Sequence, residues 1–354
     1  MMKELYKFWY LLLCCTVLLM NINAVAQDAH FSQFYSAPTF LSPSLAGSTG
    51  GTRFISNYRN QWPGISKAYQ TFALSTDLYF SKYRSGLGVL LVTDKAGSAN
   101  LNTTYLGLQY SYRVTLGDYW QFIPGMQFTF GQKSLDRSRL IFPDEVITGT
   151  PSSGNIYLTD TRAQYMDFVT SGFLYSPQFW FGVVFDHLLR PNYSFLGSTA
   201  ILPLKFVTFG GMNLWKSRGS RIVEPRAASL CYRFEAQNGY KQLDIGAYWY
   251  GRVLDFGVWY RGFPVFKNEN LKNHFLDHDA IVLMLGVTNG FYRVAYSYDL
   301  QLSALSSAGA GAHEISIIVE MGELFGCGLK YLDCYSRRTT IRFNKDQPRN
   351  MKVQ

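Results

Sequence analysis

Apolar and polar residues alternate along most of this chain with a period of two, which is typical of β-strands that have two unlike faces. From Thr103 to Val114, one face is mainly apolar and aromatic, while the other is small and polar. The same division recurs from Phe291 to Leu300 and from His313 to Met321. Each of these segments predicts a strand with one face in an apolar environment and one face in a polar environment.

About fourteen such segments are predicted, many of them near the ~9–11 residues that cross a bilayer at a tilt. They are Thr52–Gln61, Tyr69–Phe80, Ser85–Thr93, Leu101–Val114, Tyr119–Phe130, Tyr165–Tyr175, Gln178–Asp186, Leu204–Trp215, Ala227–Gln237, Gln242–Tyr250, Leu254–Arg261, Asp279–Thr288, Phe291–Asp299 and His313–Met321. An even number of strands is typical of single-chain bacterial barrels.

The connections between the predicted strands fall into two groups. Those after even-numbered strands are mostly tight, with the exception of Lys216–Arg226. Those after odd-numbered strands include the long ones, which are Gly131–Gln164, His187–Pro203, Gly262–His278 and Leu300–Ala312. Transmembrane barrels have short periplasmic turns and long outer loops, whereas a soluble sandwich has no reason to sort its connections. The sequence therefore predicts an all-β fold, a transmembrane antiparallel β-barrel of about 14 strands.

Composition agrees with a barrel. Aromatic residues make up 17% of the chain and charged residues 16%, yet the mean hydropathy is -0.04, because polar and apolar residues are interleaved. The net charge of +9 is assigned to scattered solvated Lys and Arg. A nucleic-acid partner is not expected, since the chain has neither a strong basic patch nor a recognisable binding module.

The two ends of the chain differ from its middle. Residues 1–26 are predicted to be a secretory signal, with Lys3 and Lys7 before a short apolar run and Ala24-Val25-Ala26 at the cleavage site. The apolar run is too short for a transmembrane anchor, so an exported outer-membrane protein is expected. Residues 322–354 form a basic tail, expected in the periplasm either as a disordered end or as a docking arm for an acidic partner. Residues 52–321 are the predicted barrel.

Little in the sequence points to catalysis, a cofactor or a metal. His313-Glu314-Ile315-Ser316 superficially resembles a zinc-protease motif but lacks its second His. A loop cluster of His274, Asp277, His278 and Asp279 is interpreted as solvated. Cys327 and Cys334 either pair or remain free thiols. No enzyme activity is predicted.

Several charged residues fall on predicted strands, at positions that face inward in many cases. They are Arg59, Asp77, Arg113, Asp244, Arg293, Asp299, Glu314 and Glu320. A Lys or Arg that faces lipid near the midplane costs roughly 2–4 kcal/mol, so a lumen position is expected for these charges. Mutual pairing that stiffens the wall is the favoured interpretation, and a conducting porin lined by charges is the alternative.

The start of the predicted mature chain carries a distinctive set of residues. They are Asp28, His30, Phe31, Gln33, Phe34, Tyr35, Pro38, Pro43 and Gly47, followed by Tyr58, Arg59, Asn60, Gln61, Trp62 and Pro63. Together with His313, Glu314 and Ser316 near the end of the predicted barrel, they resemble the PorP/SprF family of outer-membrane proteins. The resemblance covers nearly the whole predicted mature chain, but the long basic tail departs from it.

The resemblance implies a role in the type IX secretion system and gliding machinery of Bacteroidota. It implies a non-enzymatic barrel that supports secretion or surface anchoring of adhesin-type substrates with a type B C-terminal signal domain, held at the outer loops. It also implies contact with periplasmic, peptidoglycan-associated components of the machinery. The alternative function is a porin or a channel for hydrophobic ligands.

The stretch Gln27–Gly51 is predicted to lie at the periplasmic mouth of the barrel. Pro38 and Pro43 interrupt any helical run there. Two roles remain open for this stretch: partial insertion into the lumen as a plug, or contact with the periplasmic machinery. Insertion is favoured, because its Phe, Tyr and Leu side chains are costly to leave in water.

Overall fold

The computed structural model describes residues 28–65, 69–97, 100–136, 161–195, 199–216, 227–251, 253–263, 277–289, 291–302 and 310–321. The predicted signal sequence, the basic tail with Cys327 and Cys334, most of the predicted loop 131–164 and His274 lie outside these residues. So do the side chains of Asp277, His278 and Asp279.

The described chain forms a closed ring of antiparallel strands. The strands are β1 (Thr52–Gln61), β2 (Tyr69–Phe80), β3 (Ser85–Ala96), β4 (Leu101–Tyr112), β5 (Val114–Leu116), β6 (Trp120–Ser134), β7 (Arg162–Tyr175), β8 (Phe179–Asp186), β9 (Lys205–Lys216), β10 (Ala227–Gln237), β11 (Tyr240–Tyr250), β12 (Leu254–Phe263), β13 (Asp277–Asn289), β14 (Tyr292–Gln301) and β15 (Ala312–Met321).

The ring is closed because β1 pairs with both β2 and β15, the last strand. The short β5 follows β4 and pairs with the beginning of β6, while β4 itself pairs with the rest of β6. Strands β4 and β5 therefore occupy a single strand position in the ring. The described residues thus form a 14-stranded barrel. The predicted fold class is confirmed.

The period of two separates an apolar outer face from a polar inner face. On β4, Gln109 and Ser111 are buried, whereas Tyr110 between them is 38% exposed. On β15, Glu314 is fully buried and Ile315 is 45% exposed. This arrangement places apolar side chains against lipid and polar side chains inside, where they find hydrogen-bond partners.

Several strands are longer than the pattern predicted. The predicted loop Gly131–Gln164 is too long at both ends, because β6 continues to Ser134, which pairs with Arg162 of β7. The predicted loops Gly262–His278 and Leu300–Ala312 likewise lose residues to the strands. Strands that project beyond the apolar belt carry polar residues on both faces, so the alternation fades while the backbone pairing continues.

We call the two ends of the barrel the short-turn end and the long-loop end, because most connections at the first are short and most at the second are long. The short-turn end contains the connection Ser81–Arg84 and the tight turn between β7 and β8. The long-loop end contains the connections between β6 and β7 and between β8 and β9.

The prolines of the first described segment begin short helical turns. Pro38 opens α1 (Pro38–Leu41), and Pro43 opens a single 3-10 turn, Pro43–Leu45. A further 3-10 turn covers Phe34–Ser36. The expectation that Pro38 and Pro43 prevent any helix was therefore wrong for single helical turns. Proline is well suited to the first helical position, because the N–H group that it lacks would have no partner there.

Candidate functional site

Residues 28–51, which we call the lumen segment, run through the inside of the barrel. Asp28 contacts His187, just beyond the end of β8, and Gln237 at the end of β10. At the other extreme, the Gly47 N–H donates to Asp77 near the end of β2. The first contacts lie at the long-loop end and the last at the short-turn end. The segment therefore crosses the lumen from end to end before β1 begins.

The sequence prediction favoured partial insertion of Gln27–Gly51 into the lumen, beginning from the mouth formed by the short turns. Only the last part, around Gly47, lies there. Asp28 is at the opposite mouth. Which strands contact a non-strand segment depends on closure of the ring, and the alternation of residues does not encode that.

At the long-loop end, Glu314 anchors the backbone of the lumen segment. Its carboxylate accepts the Ser32 N–H at 2.8 Å and the Gln33 N–H at 3.0 Å. The Arg59 guanidinium lies 3.2 Å from the same carboxylate and 2.9 Å from that of Asp299. The Ser32 hydroxyl donates to Asp299 at 2.7 Å. Side chains from β1, β14 and β15 therefore hold Ser32 and Gln33 of the lumen segment in place.

Ion pairs continue around the inner wall. The pairs are Arg53–Asp77 (2.9 Å), Arg261–Asp244 (3.0 Å), Arg261–Asp299 (3.1 Å), Lys205–Glu235 (3.1 Å), Arg293–Asp255 (3.4 Å) and Arg233–Glu235. These groups are almost entirely removed from solvent. A buried charge is tolerated only when it is paired and hydrogen-bonded. Mutual pairing is thus what the structure shows for most of the predicted inward charges.

The start of the lumen segment is fastened by an imidazole between two carboxylates. His187 Nε2 lies 2.7 Å from Asp28 Oδ2, and His187 Nδ1 lies 2.5 Å from Asp167 Oδ2. Burial alone lowers the pKa of His187, but Asp186 and Asp28 outweigh it and raise that pKa to about 11. Burial alone raises the pKa of Asp28, but Lys205 and His187 hold it below its usual range. Both groups are therefore charged at neutral pH.

At the short-turn end, the segment is held by close backbone packing. A Cβ on Gly86 would lie 2.2 Å from the Ala46 carbonyl oxygen, and one on Gly125 would lie 2.3 Å from the Ser44 nitrogen. Only glycine allows the two backbones to approach this closely. The Ser44 N–H also donates to the Ser171 hydroxyl at 3.0 Å.

Aromatic side chains fill the space between the two ends. Phe34 lies edge-on to Trp259, with 4.8 Å between ring centroids, and Tyr35 lies edge-on to Tyr248 at 4.4 Å. Phe34 is 3% exposed and Tyr35 4% exposed. Each such buried side chain contributes roughly 1.5–3 kcal/mol of burial free energy, which favours the inserted position over a solvated one.

A cavity of about 420 Å³ remains in the lumen, on the long-loop side. Phe31, Phe40 and Leu90 line one part of it. Asp94 and Lys133 belong to its charged lining.

The sequence-predicted site residues fall into four groups. Asp28, His30, Phe31, Gln33, Phe34, Tyr35, Pro38, Pro43 and Gly47 belong to the lumen segment; Arg59, Glu314 and Ser316 are buried on the inner wall; Tyr58 is 40% exposed on the outer face. Where β1 ends, Asn60, Gln61 and Trp62 are half-buried and Pro63 is exposed. His313 faces outward and bonds the Tyr296 hydroxyl at 2.8 Å.

Sequence reasoning missed some members of the inner network. On β1, Arg53 is an even number of residues from Arg59, and on β12, Arg261 is an even number of residues from Asp255, so each pair lies on the same inner face. The period of two could therefore have predicted both positions. The group around His187 had no such signal, because its members come from separate parts of the chain.

A closed ring of antiparallel strands with an apolar outer face defines a transmembrane β-barrel. No helix among the described residues is long and apolar enough to cross a membrane. Residues 23–319 match the family model described as "Type IX secretion system membrane protein PorP/SprF". The chain belongs to the PorP/SprF family. It is an outer-membrane barrel associated with type IX secretion, and membership implies interaction with the secretion machinery.

The chain is similar to several solved proteins at low sequence identity. The toluene transporter TbuX of Ralstonia pickettii is similar at 11% identity and a TM-score of 0.46, over 81% of this chain and 94% of that one. The monoaromatic hydrocarbon channel CymD is similar at 11% identity and a TM-score of 0.43, over 84% and 95%. No curated protein matches the chain. The PorP/SprF family is a non-enzymatic kind of protein.

Proposed function

We propose that this barrel holds a type IX secretion substrate at the cell surface while its lumen segment keeps the pore closed. The observation that carries the proposal is the lumen segment itself, whose residues from Phe31 to Thr49 are almost all buried among inner-wall side chains. A barrel filled in this way is suited to act as a fixed outer-membrane platform rather than as a passage for solutes.

The substrate we infer is an adhesin with a type B C-terminal signal domain, bound by the long loops on the outside. Family membership supports this inference. In the same proposal, residues 1–26 direct export in a member of the Bacteroidota, and gliding depends on the displayed adhesin. The basic tail, residues 322–354, docks on an acidic, peptidoglycan-associated partner in the periplasm.

Deletion of the gene in its native bacterium tests this role. The adhesin should still be synthesised but be absent from the surface, as measured by surface immunolabelling against total immunoblotting. A point variant that leaves the barrel in the membrane, such as His313→Gln on the outer face, is the control and should retain display. Unchanged surface display in the deletion strain would contradict the proposal.

A channel for ions or hydrophobic ligands is the second candidate, and the 420 Å³ cavity is the observation that favours it. The two candidates differ in ion flow. A platform should be nearly silent in a planar bilayer, whereas a porin should show stepwise conductance.

A further inference from the structure

Two carboxylates and an imidazole converge at the long-loop end, where His187 also contacts the start of the lumen segment. Asp167 Oδ2 lies 2.5 Å from His187 Nδ1, and Asp186 Oδ1 lies 3.5 Å from the same nitrogen. One ligand atom from each residue lies within 4.8 Å of the others. These three ligand atoms are close enough to one another to be able to hold one metal ion.

Groups outside this trio already hold two of its members in position. The second oxygen of Asp167 accepts the N–H groups of Phe168 and Leu189, at 2.8 and 3.3 Å. On the far side of the ring, His187 Nε2 faces Asp28 Oδ2 at 2.7 Å. A carboxylate behind the distal nitrogen is the usual support of a metal-bound histidine, because it fixes the tautomer and the ring orientation.

Charge balance is a second, separate observation. Asp28, Asp167 and Asp186 face the cations His187 and Lys205, whose Nζ lies 3.7 Å from Asp28. The three carboxylates outnumber the two basic groups at this mouth, and an excess of carboxylates attracts a divalent cation.

The cavity supplies the remaining coordination positions. Asp167, Asp186 and His187 all line the 420 Å³ lumen cavity. Since one water occupies about 30 Å³ in the liquid, the cavity has room for the waters that complete a coordination sphere. An imidazole with carboxylates suits first-row transition ions, whereas Ca²⁺ takes oxygen ligands only.

We propose that Asp167, Asp186 and His187 bind a divalent transition-metal ion, of the class of Zn²⁺ or Mn²⁺, at the long-loop mouth. Asp28 supports the His187 ring from the lumen segment. The ion therefore connects the β7 and β8 wall to the start of the segment through a single imidazole. This proposal does not depend on the secretion substrate.

The test uses the full-length mature protein, purified in detergent with a tag free of histidine. The protein is stripped with EDTA and then dialysed against micromolar Zn²⁺, and bound zinc is measured by mass spectrometry. About one zinc ion per chain is expected. His187→Gln should lose nearly all of it, and Asp28→Asn should weaken binding about 10- to 100-fold. His313→Gln, which changes an outward-facing histidine, should bind as the wild type does.

Zinc in equal amount on His187→Gln, or no zinc on the wild type, would overturn the assignment. Displacement of Zn²⁺ by excess Ca²⁺ would also overturn it. Heat-dependent migration on gels reports whether each variant retains a folded barrel. If His187→Gln does not fold, Asp186→Asn replaces it, because that side chain is 30% exposed and is accordingly less important to packing.

Discussion

The two ends of the lumen segment are held by different kinds of interaction. At the long-loop end, Ser32 and Gln33 are bound by the charged side chains of Glu314 and its neighbours. At the short-turn end, Ser44 and Ala46 pack against Gly125 and Gly86, where a Cβ would overlap the segment's backbone. Charges fix a segment through a few strong contacts, whereas glycines fix it through shape. The two ends should therefore respond differently to substitution.

The charged end should show the largest effect. Glu314→Ala removes the acceptor of two backbone N–H groups and one partner of Arg59. Breaking a buried pair in this way typically costs 3–5 kcal/mol, which we expect to appear as a loss in the free energy of unfolding by urea. Glu314→Gln keeps the shape and one acceptor oxygen, so it should lose less. Equal stability of Glu314→Ala and the wild type would contradict the claim that Glu314 holds the charged end of the segment.

The glycine end should show an intermediate effect. Gly125→Val places side-chain atoms into the Ser44 backbone, and overpacking of this kind commonly costs about 1–3 kcal/mol. We expect the segment to be displaced near the short-turn end, so that a cysteine at Ser44 is labelled faster by a water-soluble maleimide.

The matched control for that experiment is Gly286→Ala. Gly286 is a glycine on β13 whose added Cβ would come no closer than 3.3 Å to Asp255. It should leave the labelling rate at position 44 unchanged. Faster labelling in the control than in Gly125→Val would mean that the close approach at Gly125 does not hold the segment.

The smallest effect should come from the first residue of the segment. Asp28→Asn weakens the contact with His187, but Asp28 is 30% exposed, so solvent screens the pair. We expect a loss of about 1 kcal/mol or less in the free energy of unfolding when metal is removed with EDTA. A loss as large as that of Glu314→Ala would show that the segment is anchored at its start rather than at Ser32 and Gln33.

Most of the wall could be predicted from the sequence, because strands that face lipid on one side must alternate. The predicted bounds of β1, β2 and β10 agree with the structure. Inward positions such as Asp299 and Glu314 followed from the same rule. The alternation stops where strands leave the membrane, which explains the missed ends of β6 and β7.

The contacts inside the barrel could be predicted only in part. That Arg59 faces inward follows from its position on β1, but its contact with Asp299 requires that β14 and β1 come close through β15. Similarly, Asp28 and His187 are far apart in sequence. Such contacts are consequences of ring closure and of the path of the lumen segment, neither of which leaves a local pattern.

A disulfide lock tests the closed lumen most directly. The hydroxyl oxygens of Ser44 and Ser171 lie 2.5 Å apart, so Ser44→Cys combined with Ser171→Cys should form a disulfide between the segment and β7. The measurement is the ion conductance of this oxidised protein in a planar bilayer, with disulfide formation verified by mass spectrometry. We predict a cross-linked protein that is nearly silent, like the wild type. Free thiols at both positions, or a locked barrel that conducts as an open pore does, would contradict a lumen closed by its own segment.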